Sequence, residues 1–586
     1  MPNPTRTASS CRGCRFCTCT ASRTVPCSRS TPNRSRRCCP GAAACSSCRP
    51  RAISCRSNVL TSSPRRSWTS SGPANVVAVT RTKLVAGLAV PALALATALA
   101  LAVGSCSRDA PNPTAVPSPN PAAAVEFAES LATKVTVDAT MAHLQKMQDI
   151  ADAEGGSRAL GTSGYDASVD YVVTALRDKG FDVQTPDFEV RLPWAEEPTL
   201  TVADGDVSAR PLEFTIGTPP DGVSGPLVAA PAEETPGCTA DDYDGLPVRG
   251  AVVLVDRGAC PFGTKQAVAA DRGAVALIVA DNTDADELVG GTLGDDTDVK
   301  IPVIGIGKDA GAGLRAQPGA PTTIRMNAGV RTERTRNVIA QTTTGSTADV
   351  VLVGAHLDSV AEGPGINDNA SGVAAVLETA LQLGSSPNIT NAVRFAFWGA
   401  EEVGLEGSNA YLASLDTEQL KDIALYLNFD MIGSPNPGYF TYDGNMSIPP
   451  DPRLGVPRVP EGSPGIERTL ADYLDRAGKP AQDTFFDGRS DYEAFTRAGV
   501  PAGGLFSGAE DDMTAEQAEL WGGRADEPFD PNYHKDTDTF DNIDRTAMQI
   551  HGSGVGYVVG LYAQNQRGRN GIPVREDRVR HELQES

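Results

Sequence analysis

The chain has 586 residues, 40% of them hydrophobic, with 58 Gly and 43 Pro and a net charge of −22 at neutral pH; the length allows more than one domain and the composition excludes wholesale disorder. Charge is unevenly spread: 15 of the 51 Lys and Arg, and none of the 73 Asp and Glu, precede Cys106, which leaves 36 basic against 73 acidic residues, about −37, from there onward. So acidic a body argues against nucleic acid as a partner and favours solubility outside the cell.

Ten of the thirteen Cys lie between Cys11 and Cys55. Their spacing could suit zinc, but the stretch has no His, no acid and little hydrophobic periodicity. Residues 1–78 are therefore expected to be a non-native N-terminal extension, read from a start codon placed too far upstream. Residues 79–105 have the layout of a signal peptide: the basic flank Arg81-Thr82-Lys83, an apolar run from Leu84 to Val103, and a small-residue exit. The run is long enough to span a bilayer, but it ends in Val103-Gly104-Ser105-Cys106, which resembles the lipobox of bacterial lipoproteins. That resemblance implies cleavage before Cys106, a lipid on its thiol, and residence on the extracellular face of the bacterial cell membrane or release from it. A Pro-rich tether over residues 106–125 follows.

Residues 126–198 begin with apolar spacings of three and four, which predict two helices around a Gly/Ser-rich turn, and then a strand from Phe181. Over residues 199–330 short Val-rich runs alternate with Gly, Pro and Asp turns, the pattern of a separate small β-rich domain. Over residues 331–570 long apolar strands (VVLVGAHLD, AVRFAFWGAEE, ALYLNFDMIG) alternate with amphipathic helices. The expected fold class is thus α/β, with a mixed, largely parallel sheet flanked by helices and an inserted β-rich domain. Residues 571–586 read as a polar tail.

The insert carries Gly237-Cys238, the run Ala251 to Gly258, Cys260-Pro261-Phe262 and Lys265, and in these it resembles the protease-associated domain. In an exported protein Cys238 and Cys260, the pair left after Cys106, are expected to form a disulfide. The resemblance implies a lid or substrate-access role, or a purely structural one.

Five His occur, at 143, 356, 534, 551 and 581. His356 ends an apolar strand, and ligands of open α/β sheets gather at the carboxyl ends of strands; a lone His there is as compatible with a structural role. Asp368 lies in Asn367-Asp368-Asn369-Ala370-Ser371-Gly372 before an apolar helix, which could be only an Asx turn and cap. Glu401 and Glu402 end another strand at an expected helix start, where acids suit the dipole. Asp430 ends a third strand, and Tyr533-His534 supplies a second His. Each has a bland explanation, but four acidic positions and two His at successive strand ends would be costly without cations to neutralise them.

Together His356 with Asp358, the Asn-Asp-Asn-Ala-Ser-Gly loop, Glu401-Glu402, Asn428 to Gly433 and Tyr533-His534 look like the signature of metallopeptidase family 28, over about 250 residues. The resemblance implies two Zn²⁺, with His356 and Asp430 on one, Glu402 and His534 on the other, and Asp368 bridging. It implies Glu401 as general base, Tyr533 as oxyanion stabiliser, and Asp358 accepting the far N–H of His356. Arg489, in Gly488-Arg489-Ser490-Asp491-Tyr492, is a candidate for the substrate cleft. The expected function is removal of N-terminal residues from peptides. The alternatives are a carboxypeptidase of the same family, which would need several cations to grip carboxylates, and a catalytically silent surface binding protein.

Overall fold

The computed structural model of the chain describes residues 120–232, 236–283, 288–449 and 459–583. The expected extension, the signal peptide, Cys106 and most of the tether lie outside them. Among the described residues no helix is long and apolar enough to cross a membrane.

The larger sheet has eight strands in the spatial order Asp182–Gln184, Val338–Gln341, Asn391–Trp398, Ser346–His356, Ile423–Phe429, Ala502–Phe506, Phe440–Tyr442 and Gln482–Thr484. Its four middle strands are parallel, and the next strand on either side runs antiparallel to them. Burial on both faces explains why these strands read as unbroken apolar runs: every residue of Ile423–Phe429 is buried. One face packs on the helices Val137–Ala153, Ser163–Asp178, Ser371–Leu383 and Arg545–Gln564 through Leu144, Val172, Val376 and Val558. The other packs on Glu406–Ala413, Thr417–Asp422 and Tyr492–Arg497 through Leu412, Leu420 and Phe495.

Three helices, not the expected two, precede the first strand, because the first stops at Lys134 with Val135 as its cap and Thr136 caps the next, its side chain accepting from the Ala139 N–H. The first already starts at Pro121, inside the expected tether: Asn120 caps it, and Pro at the first helical position loses no hydrogen bond there.

The insert forms a second eight-stranded sheet, with apolar clusters on both faces. Four of its strands, Val223–Ala229, Val252–Asp256, Ala276–Ala280 and Val303–Ile306, are parallel, with the helices Phe262–Asp271 and Lys308–Arg315 among the connections. It is thus more helical than its Val-rich runs suggest. Strands Asp187–Ala195 and Ala328–Arg336 pair antiparallel along their whole length, so the chain enters and leaves the insert side by side; the expected boundaries at 198/199 and 330/331 fall at the insert end of this ribbon. Cys238 and Cys260 are disulfide-bonded, and buried Lys265 donates to the Pro236 carbonyl beside them.

The expected polar tail is docked as far as residue 583. Arg580 is buried and donates to the carbonyls of Gly499 (2.6 Å), Ile423 (2.9 Å) and Leu420 (3.2 Å), while buried Arg578 pairs with Asp349 (2.6 Å). Composition shows charge but not which carbonyls await it.

Candidate metal centre

Three neighbouring parallel strands end at one place. His356 closes its own strand in register with Trp398, and Gly354 lies opposite Asn428, so the chain beyond Trp398 and beyond Phe429 delivers Glu401, Glu402 and Asp430 beside His356. Sharp turns aim them: Ala400, Leu405, Met431 and His534 have φ of 60°, 61°, 51° and 55°, a left-handed conformation that costs a non-Gly residue free energy and recurs at functional sites. Glu401 and Glu402 precede the helix rather than start it, since it begins at Glu406. In the loop before the helix Ser371–Leu383, Asn369 rather than Asp368 does the capping, its Oδ1 accepting from Gly372 N–H (2.9 Å) and Met431 N–H (3.2 Å). Gly372 is required there, because a Cβ would stand 2.1 Å from the Phe429 carbonyl oxygen.

His356 Nε2 stands 3.1 Å from Asp368 Oδ1, 3.2 Å from Asp430 Oδ1 and 3.9 Å from Glu401 Oε2. His534 Nε2 stands 3.2 Å from Asp368 Oδ2 and 3.1 Å from Glu402 Oε2. Asp368 therefore turns one carboxylate oxygen to each imidazole. His356, Asp368 and Glu402, and again His356, Glu401 and Asp430, bring donor atoms within 4.8 Å of one another. Glu402 Oε1 is buried with no hydrogen-bond partner. A buried carboxylate oxygen without a donor, in a His and carboxylate set of this kind, fits divalent zinc.

Electrostatics within the protein agree. Burial pushes Glu401 well above the usual carboxylate range, against the pull of His356 and with a further push from Asp430; it takes Glu402 up to about 7, with Asp368 adding to the rise. Burial disfavours charge on His356, but Asp430 and Glu401 outweigh it and hold the ring well above its ordinary value. His534 is likewise desolvated, yet its bonds to Asp368 and Glu402 raise it to about 10. Asp368 is lowered despite burial, because both imidazoles hydrogen-bond to it. The two rings are outnumbered by carboxylates, and added cations would relieve the excess negative charge.

The support of the cluster differs from the expectation at Asp358. Nδ1 of His356 is 3.2 Å from the main-chain carbonyl of Asp358 and 3.8 Å from its carboxylate, the latter too long for a hydrogen bond. The Asp358 carboxylate instead accepts from the N–H groups of Glu401 (3.1 Å) and Glu402 (3.3 Å), tying one strand end to its neighbour. Other supporting residues escaped the sequence reading. Asp538 accepts from the N–H groups of Asn367 (2.8 Å) and Asp368 (3.0 Å), and Ser490 donates to Asp430 Oδ2 (2.6 Å). Fully buried Arg158 donates to the carbonyls of Leu357, Pro364 and Gly365, and burial lowers it to about 10 against the pull of Asp358 and Asp538. No local signal marks Arg158, about 200 residues before the loop it holds.

An open cleft runs over the cluster, with the apolar side chains of Met431, Tyr442, Phe485 and Phe506 in its wall. Tyr533 and Arg489 line it too. The Tyr533 ring stacks on His534, with centroids 3.8 Å apart, and Arg489 Nη2 donates to its hydroxyl at 3.1 Å.

Residues 337–559 match Peptidase family M28, and residues 223–314 match the PA domain. The chain is 65% identical over 465 residues to the probable lipoprotein aminopeptidase LpqL of Mycobacterium tuberculosis, a likeness that covers 79% of this chain and 92% of that protein. The chain belongs to peptidase family M28. It is a hydrolase of the aminopeptidase kind that its M28 relatives name, and it carries a PA domain. Among solved M28-like structures it resembles the aminopeptidase from Aneurinibacillus sp. strain AM-1 at a TM-score of 0.57 and 26% identity, over 74% of this chain and 95% of that one. The zinc aminopeptidase BSAP from Bacillus subtilis shares the fold, with a TM-score of 0.52 and 23% identity over 75% and 98% of the two chains.

Proposed function

We propose that this protein is a lipid-anchored aminopeptidase that removes N-terminal residues from peptides with two zinc ions. The single observation that carries the reading is Asp368 facing His356 with one carboxylate oxygen and His534 with the other. In this reading His356 and Asp430 would hold one zinc and Glu402 and His534 the other, with Asp368 shared between them. Bound zinc supplies Lewis acidity toward the scissile carbonyl and lowers the pKa of water.

The protein's own groups do the rest. Glu401, buried and raised in basicity, takes the proton of the attacking water and passes it to the departing amine. Tyr533, held by Arg489, donates its hydroxyl to the oxyanion. The neighbouring carboxylates also suit a free ammonium at the substrate's N-terminus. The lipobox-like sequence ending at Cys106 and the lipoprotein named among the relatives support anchoring at the outer face of the membrane.

The test is release of amino acids by residues 107–586 from free and from N-acetylated peptides, before and after zinc removal and restoration. Zinc-dependent release from free N-termini alone is expected. Equal release from acetylated peptides would replace the reading with carboxypeptidase, and zinc binding without any hydrolysis would replace it with a binding protein.

A further inference from the structure

Among the described residues that line the cleft, Arg489 is the one cationic side chain besides His534. A guanidinium in a peptidase cleft would ordinarily be available to a substrate carboxylate, which it grips with paired N–H donors. Here both of its outer nitrogens are engaged. Nη1 pairs with Glu510 Oε1 at 2.9 Å and Nη2 donates to the Tyr533 hydroxyl at 3.1 Å. Glu510 also sits on the cleft wall, followed by Asp511, and Asp487 lies on the same wall with its carboxylate accepting from the Tyr492 hydroxyl (2.6 Å) and the Arg489 N–H (3.1 Å). Asp487, Arg489, Glu510 and Asp511 are all exposed, whereas Asp368, Glu401 and Asp430 are buried below. The outer part of the cleft thus carries three carboxylates and one cation already paired to one of them.

We propose that Glu510 is a specificity-determining residue, which occupies Arg489 and so selects against substrates that bring a free α-carboxylate close to the scissile bond. The inference rests on the aminopeptidase reading and names its substrate class: peptides long enough to keep the C-terminal carboxylate away from the rim, or amidated ones, in preference to free dipeptides. A dipeptide carboxylate binding Arg489 competes with Glu510, which already pairs with Nη1, and meets the like charges of Asp487 and Asp511 on the same wall. A charged hydrogen bond exchanged for another of the same kind yields no net gain, and like charges nearby make the exchange unfavourable.

The experiment compares leucylglycine with leucylglycinamide, two substrates that differ only at the carboxyl end, on the zinc-loaded enzyme. Wild-type kcat/KM is expected to favour the amide. In Glu510→Gln the ratio of kcat/KM for the acid to that for the amide should rise about tenfold, mainly through a lower KM for the acid, as Arg489 becomes available. In the double variant Glu510→Gln, Arg489→Gln the rise should vanish. A ratio within twofold of wild type in Glu510→Gln, or a rise that survives in the double variant, overturns the proposal while leaving the aminopeptidase reading intact. Wild-type enzyme that cleaves neither substrate overturns both.

Discussion

Glu401 and Glu402 are adjacent and chemically identical, yet their surroundings differ in the way the proposed roles of base and ligand require. Glu402 lies 3.1 Å from His534 Nε2 and keeps its other oxygen buried and unpartnered, as a ligand would. The nearest imidazole nitrogen to Glu401 is 3.9 Å away, and burial, with a further push from Asp430, raises it well above the usual carboxylate range. Glu401→Gln keeps the side chain's shape but replaces a carboxylate oxygen with an amide NH2 and so removes the proposed base; kcat should fall on the order of 10²–10⁴-fold with zinc content unchanged. Steady-state kinetics alongside metal analysis checks this, and near-wild-type turnover in a metal-loaded variant removes Glu401 from the mechanism. At Asp358 the residue was legible in the sequence and its atom was not. Which of its oxygens meets His356 depends on the Glu401 and Glu402 N–H groups taking the carboxylate, a contact made across the sheet.

At the scale of elements, the strand ends were readable because burial on both faces forces apolar runs that stop where the chain turns toward the site. The first helices were harder, since a Thr in mid-pattern can be an exposed helical residue or, as at Thr136, a cap. In the insert the Cys238–Cys260 bridge joins residues 22 apart in sequence, the second just before the helix Phe262–Asp271. Closing a loop of that size removes conformational freedom from the unfolded insert worth about 3 kcal/mol in the chain-entropy model. Replacing both Cys by Ser should therefore lower the unfolding temperature of the insert and expose it to protease before the larger sheet, whose core clusters do not include it. Limited proteolysis with fragment mapping decides: first cuts within the M28-matching residues would contradict an independent insert.

For the whole molecule, the helix Arg545–Gln564 joins parts distant in sequence, packing against Pro121–Lys134 and Ser371–Leu383. On it His551 is fully buried, with Nδ1 2.9 Å from the Ile432 carbonyl and Nε2 without a partner. Burial lowers it to about 4, against the opposing effects of the Ile432 carbonyl and Asp544. An unfolded His titrates near 6.5, so the folded state takes up the proton later than the unfolded state does. The associated stability is complete above about pH 6.5 and is lost as pH falls toward 4, with about 2 kcal/mol gone between pH 7 and 5. Denaturant unfolding of wild type and His551→Gln at both pH values tests it: the stability difference between them should shift by about that amount in favour of the variant at pH 5. Parallel pH dependences would show that His551 does not titrate differently on folding.

Sequence alone determined the α/β class, the insert and the identities at the centre, because apolar periodicity records which faces are buried and strand-end acids and His record where charge must collect. Only the tertiary structure decided that Arg158 holds the Asp368 loop, that Arg578 and Arg580 dock the last residues, and that Glu510 occupies Arg489. These are long-range pairings of charged side chains with carbonyls or with one another. Their partners lie tens to hundreds of residues away and leave no local pattern, so the pairings exist only once folding has brought both ends together.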